Sequence, residues 1–185
     1  MKTRKIFALL MLSVMVLSCM SGESFAAKKK TARKKTAPAQ QTEQKAPTKK
    51  ADPHGYYKGL TQKQGEQADA VAREIADAVM AEGSLVTDLQ KVRAASRLVA
   101  RYCSQCTYGN DENRYYRTPY GVFVAGVYTC AGATRALGRV LDYMGYAWEH
   151  ANENQWSHQW CILTMDGQQG FADGQVGITG YGEHP

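Results

Sequence analysis

Across residues 54–185 the chain lacks any excess of positive charge: 11 basic residues stand against 14 acidic ones, although the 185-residue whole carries a formal +6. A surface built to hold a polyanion needs clustered Lys and Arg, so a nucleic-acid partner is excluded from the reading of this region. Metal-ligand sets are equally scarce. Cys103-Ser-Gln-Cys106 has no second Cys-x-x-Cys and no His-x-x-x-His to complete the roughly four ligands of a structural zinc site. No βαβ pattern surrounds the pair, which argues against a thioredoxin-like redox motif. No metal and no cofactor enter the expectation. The one long apolar run, residues 6–20, is too short for a permanent membrane span. There is no internal repeat.

The missing charge sits at the other end. Met1-Lys-Thr-Arg-Lys5 followed by residues 6–20 reads as the charged and apolar regions of a secretory signal, giving a signal peptide over residues 1–26. Two processing sites compete: Ser24-Phe-Ala26 before Ala27 suits a signal peptidase, and Val16-Leu-Ser-Cys19 resembles a bacterial lipobox that would leave Cys19 lipidated. Either outcome gives an extracytoplasmic protein, secreted or associated with the cell envelope, in a compartment where disulfides form. Residues 27–53 then form a basic linker. Within residues 28–53, nine basic residues stand against two acidic ones, and no aromatic or large aliphatic side chain is present. Such a stretch cannot bury enough surface to offset its chain entropy, so disorder is expected. It is either a solvated spacer or an electrostatic tether to anionic envelope polymers.

All 11 Tyr and all 3 Trp fall in residues 54–185, a length that fits one domain. Thr61-Gln-Lys-Gln64 has capping-box spacing, and apolar residues then recur every three or four positions from Ala68 to Met80, predicting a helix that ends near Gly83. A second helix is predicted from Thr87 or Asp88 to about Tyr102. Residues 104–120 are polar, turn-rich and aromatic and read as a long loop. A third helix is predicted from Thr129 or Cys130, with Thr129 as cap, to Gly145. Strands follow over residues 146–150 and 158–164, with Asp166-Gly167 turning into a strand that ends at Asp173. Helices first and an antiparallel meander afterwards predict an α+β domain over residues 54–185.

Cys130 has the most telling setting of the five cysteines. At a helix start, unpaired amide N–H groups and the helix dipole favour a thiolate. A base is needed beside it. His54 and His184 lie near the ends of the domain and are poor candidates. His150 follows Glu149 and reads as half of a surface pair. His158 opens a strand whose expected neighbour ends at Asp173, a carboxylate that can fix the imidazole tautomer while the other ring nitrogen faces the sulfur.

Thr87-Asp-Leu-Gln-Lys-Val-Arg, Tyr120-Gly-Val-Phe, Tyr128-Thr-Cys130-Ala-Gly-Ala-Thr-Arg-Ala-Leu, Ser157-His158-Gln-Trp-Cys-Ile-Leu, Asp166-Gly167 and Phe171-Ala-Asp173 together resemble the core of bacterial transglutaminase-like proteins. The likeness covers roughly residues 84–175, and its specificity lies in the ordered set. Where family members often read His-Ala-Trp-Asn, this chain reads His158-Gln159-Trp160-Cys161. The resemblance implies a papain-like α+β core: N-terminal helices, and a nucleophile helix packed on a small antiparallel sheet. It also implies a catalytic triad of Cys130, His158 and Asp173.

The function expected is a cysteine-dependent acyl transferase or hydrolase acting on peptide or glutamine amide bonds through a thioester. Its envelope address makes peptide or protein substrates, peptidoglycan stem peptides among them, the expected partners. The alternative is a non-catalytic binding module of the same fold. The Cys130 backbone N–H is the natural oxyanion donor, with Gln155, Trp156 or Tyr108 as candidates for a second. Tyr108, Tyr115, Tyr116, Trp156 and Trp160 are the candidate substrate-binding residues. The loop from Tyr108 to Tyr120 serves either as a cover over the thiol or as surface packing. Cys103 and Cys106 are candidates for a disulfide, with each other or with Cys161, which strand alternation otherwise points away from His158 into a structural role.

Overall fold

The computed structural model describes residues 52–185; the signal peptide with Cys19, and all of the basic linker before Asp52, lie outside the described residues. Asp52 itself is engaged, its carboxylate accepting from the Tyr56 and Tyr57 amides at 2.8 and 3.0 Å.

Two helices begin where the sequence placed them. Helix α1, Gln62–Ala81, starts at a reciprocal capping box in which the Gln64 amide donates to the Thr61 hydroxyl and the Gln64 side chain accepts from the Thr61 amide. Helix α2, Asp88–Cys103, repeats the device with Thr87 and Gln90. A second anchor holds that helix start. The Asp166 carboxylate accepts from the Asp88 and Leu89 amides at 2.9 and 3.0 Å, an anion at the positive end of a helix. Asp166 and Gly167 both have positive φ, 50° and 78°, as a tight two-residue hairpin turn requires.

Helix α3, Cys130–Met144, is the central element and packs against α1, α2 and the sheet. Its buried Leu137, Val140 and Leu141 meet Val92 and Val99 of α2 and Met165 of the sheet in one core. Arg139 ties it to α1 through two bonds to Asp69 at 2.8 and 2.9 Å, and Gly145 ends it in the left-handed conformation.

The sheet is an antiparallel meander of β3 (Trp148–His150), β4 (Cys161–Met165), β5 (Gln168–Asp173) and β6 (Ile178–Tyr181), in that order. Cys161 lies opposite Ala172, and Ile162 opposite Phe171. Along β4, Cys161, Leu163 and Met165 are buried while Thr164 is exposed, the alternation of a strand with one covered face. The protein is therefore α+β, as expected.

Several details differ from the sequence reading. Within the expected loop over residues 104–120 lie a short strand, β1 (Thr107–Tyr108), and a 3-10 turn at Tyr115–Arg117; beyond it, a π-helical turn over Gly121–Ala125 leads to β2 (Val127–Tyr128), which pairs in parallel with β1. Strand β4 begins at Cys161 rather than at His158, which precedes it, and β6 was not anticipated. Thr129 occupies the cap position of α3, but its hydroxyl donates to the Tyr116 carbonyl at 3.3 Å rather than capping the helix. His150 is no surface residue. Its side chain is 3 % exposed and donates from Nε2 to Gln159 at 2.8 Å, and burial with the nearby Arg135 cation pushes its pKa down to about 4.

One contact sets how closely the sheet approaches α3. A Cβ added at Gly138 would lie 1.9 Å from a Trp148 ring atom, so only glycine admits the indole there. Gly138→Ala should cost at least about 2 kcal/mol, at the upper end of core overpacking, whereas Gly83→Ala, which meets nothing within 4 Å, should be close to neutral. Urea denaturation of both variants checks this.

Candidate active site

The chain of cause begins at the start of α3. Cys130 is the first residue of the helix, and Gly132 and Ala133 already donate to the Thr129 carbonyl. Neither the Cys130 nor the Ala131 amide has a backbone acceptor among the described residues, so the helix start presents free N–H groups beside the sulfur. A Cβ at Gly132 would fall 2.3 Å from the Tyr116 carbonyl oxygen; the glycine lets the 115–118 segment lie directly on the helix start.

Cys130 opens into a cleft of about 790 Å³. Its floor is the start of α3, one wall carries Tyr108, Tyr116 and Arg117, and the other carries Asn154, Trp156 and His158. The two walls touch where Arg117 donates to Asn154 at 3.2 Å. Arg135 of α3 fixes both of them, donating to the Arg117 carbonyl at 3.3 Å and to Glu153 at 2.7 Å, and it also holds the His54 carbonyl at 2.7 Å. Asn152, with a φ of 54°, donates to the His158 carbonyl at 2.9 Å and so sets the backbone from which the imidazole projects.

His158 Nε2 meets Asp173 Oδ2 at 2.5 Å. That bond leaves Nδ1 as the nitrogen free for the cleft, and the Cys130 thiol points toward the carbonyl of the adjoining Ser157 at 4.0 Å. The Asp173 side chain is 1 % exposed, yet it has no shortage of donors. Its Oδ1 accepts from the Gln175 amide at 2.7 Å and the Val176 amide at 3.4 Å, and its Oδ2 also takes His184 Nε2 at 3.1 Å. Of the expected triad, Cys130 and His158 line the same cleft, and Asp173 is hydrogen-bonded to His158.

The other expectations divide. Tyr108, Tyr116 and Trp156 line the cleft, and Trp156 projects fully into solvent. Tyr115 does not line it: its hydroxyl accepts from Gln64 of α1 at 2.9 Å and its ring packs edge-on against Tyr120, so it fastens the loop to the helix. Trp160 is also outside the lining, stacked on His184 at 4.4 Å. Cys103, Cys106, Cys130 and Cys161 are all free thiols, so no disulfide joins Cys103, Cys106 or Cys161. Cys103 points at the Gly174 carbonyl and Cys106 at the Tyr102 and Val122 carbonyls, and neither sulfur is directed at the other. Burial, with smaller effects from Cys106 and Asp173, pushes the Cys103 thiol up to about 12; burial alone raises Cys106, and burial raises Cys161 well above its ordinary range.

His184 and His54 lie near the domain ends, where a fixed site is not expected, yet both are engaged. His54 stacks on Trp148 at 4.1 Å and holds Arg135. His184 folds back onto Asp173, a placement no local pattern announces. One ligand atom each from His158, Asp173 and His184 lies within 4.8 Å of the other two, so this trio is the set among the described residues that could hold a metal ion. In the arrangement present, the imidazoles are hydrogen-bonded to the carboxylate, whereas ligation would require their lone pairs.

Tyr108 supplies the remaining feature. Like Cys130 it lines the cleft, and its ring packs edge-on against Tyr128. Burial first, and the Cys130 sulfur second, raise the phenol above its ordinary value of about 10. No protein-family model matches the chain, and no curated protein matches it.

If the phenol feels the thiolate, removing the sulfur should lower its titration midpoint. In ultraviolet or NMR titration, Tyr108 should ionise above pH 10 in the wild type and at lower pH in Cys130→Ala, without reaching the ordinary value, because burial remains. An unchanged midpoint would mean that the two groups do not interact.

Proposed function

We propose that the chain is an extracytoplasmic cysteine enzyme of transglutaminase-like, papain-like fold that acts on peptide or glutamine side-chain amide bonds. The observation that carries this reading is the convergence of Cys130 and His158 on one cleft, with the imidazole bonded to the buried Asp173. Neither a surface thiol nor a packing thiol needs that surrounding, and the three other described cysteines have nothing like it.

In the proposed reaction His158 Nδ1 takes the Cys130 proton, and the sulfur attacks the carbonyl carbon. Asp173 holds the ring in the tautomer with hydrogen on Nε2 and stabilises the imidazolium. The oxyanion accepts from the Cys130 amide, and the hydroxyl of Tyr108, on the lining of the same cleft, is the second donor. As the tetrahedral species collapses, Nδ1 gives its proton to the departing amine and a thioester remains. Water then completes hydrolysis, or a primary amine completes transamidation, with Nδ1 again acting as base. The cleft lining holds one cation, Arg117, and no carboxylate, which favours substrates that are neutral or anionic near the scissile amide. Peptidoglycan stem peptides are of this kind and would be met at the expected address.

Iodoacetamide at pH 7, followed by peptide mass mapping, tests the reading. Among the described cysteines only Cys130 should be labelled in the folded protein, and His158→Ala or Asp173→Asn should slow its labelling at least about tenfold. Labelling of Cys130 at the rate of an ordinary thiol, unaffected by either substitution, would favour a binding module instead.

A further inference from the structure

The chain leaves β6 at Tyr181 and turns at Gly182, whose amide donates to the Gln169 carbonyl at 3.0 Å and whose φ of 79° suits glycine. This turn returns His184 to the sheet. The imidazole side chain is 9 % exposed, stacks on Trp160 at 4.4 Å and 25°, and meets the Phe171 ring edge-on at 4.9 Å. Nε2 lies 3.1 Å from Asp173 Oδ2, the same oxygen that receives His158. Nδ1 lies 2.9 Å from the Pro185 carbonyl oxygen.

A carboxylate has about four acceptor positions. On Asp173 the Gln175 and Val176 amides occupy Oδ1, and the two imidazoles occupy Oδ2. Without His184 one position would face the apolar rings of Trp160 and Phe171, and a buried acceptor without a donor is costly. The carboxylate would then be free to rotate, or to admit water, and either movement shifts the oxygen that His158 uses.

We infer that His184 is a positioning residue for the proposed Cys130–His158–Asp173 chemistry, one that fixes Asp173 by donating the fourth hydrogen bond to its carboxylate. The inference rests on that reading of the triad. His184 is outside the cleft lining; its ring lies against that of His158, centroids 5.5 Å apart, but its hydrogen bond goes to Asp173, and Trp160 and Phe171 complete the seat that keeps it there.

Two variants of the full chain separate donor from ring. His184→Phe keeps the stacking and loses the donor; His184→Gln keeps a donor of similar reach and loses the stacking. The rate of Cys130 labelling by iodoacetamide, the NMR resonance of the proton between His158 and Asp173, and the melting temperature are measured for each. His184→Phe should label roughly tenfold more slowly, the effect of losing one hydrogen bond to a charged group, and should shift the resonance. His184→Gln should recover most of the rate and the resonance whatever its melting temperature. Equal behaviour of the two variants, or a wild-type rate in His184→Phe, would overturn the inference. So would a wild-type rate changed by EDTA, which would mean that the trio holds a metal. His158→Ala separates the two levels. If it labels like the wild type, the triad reading falls and takes this inference with it; if it labels slowly while His184→Phe does not, the triad stands and only the role of His184 falls.

Discussion

A buried carboxylate with every acceptor position filled is the constraint around which the site is organised. Asp173 ends β5 at the rim of the sheet, where the following turn supplies two amides, the segment before β4 supplies His158, and the segment after β6 supplies His184. An ionised carboxylate out of water is tolerable only with such a set of donors. Three separate pieces of chain are therefore held to one point. Helix α3 carries Cys130 to the same place because Gly138 lets it pack on Trp148, while Arg135 clasps both walls of the cleft from its second turn. Position, rather than any unusual residue, is what sets Cys130 apart from the other thiols.

Much of this was legible in residue types. The Thr61–Gln64 box marked the start of α1, Thr87 or Asp88 that of α2, Asp166-Gly167 a hairpin, and the strand expected over residues 158–164 overlaps β4. Cys130 at a helix start was legible from its surroundings, whereas joining it to His158 and Asp173 rested on the family resemblance, and His158 proves to lie just before β4 rather than on it. What escaped was whatever depends on contacts distant in sequence. Gly121-Val-Phe-Val-Ala125 has no period by which to tell a π-helical turn from a strand, and β1 and β2 are too short to show alternation. Tyr115 looked like its neighbour Tyr116, yet a bond to Gln64 of α1 turns it out of the cleft. The Cys-x-x-Cys spacing carried no information on where each sulfur points, and here they point to different carbonyls. His184 was discounted on nearness to the domain end, which says nothing about where a turn will return the chain.

The proposed chemistry leaves the acceptor to the cleft. A thioester formed on Cys130 partitions between water and amine according to which of them reaches it with His158 Nδ1 in line, and the outcome follows from exclusion of water more than from the triad. Trp156 and Tyr108 both line the cleft and are both exposed.

The most direct measurement of the central claim is the mass of Cys130 after brief exposure of the protein to peptidoglycan stem peptides or envelope extract, quenched in acid. The account predicts an acyl adduct on Cys130 that hydroxylamine removes, as it does a thioester, that accumulates only when His158 is intact, and that is missing in Cys130→Ala. An adduct carried by another residue, or peptide retained by the domain with Cys130 never acylated, would contradict it.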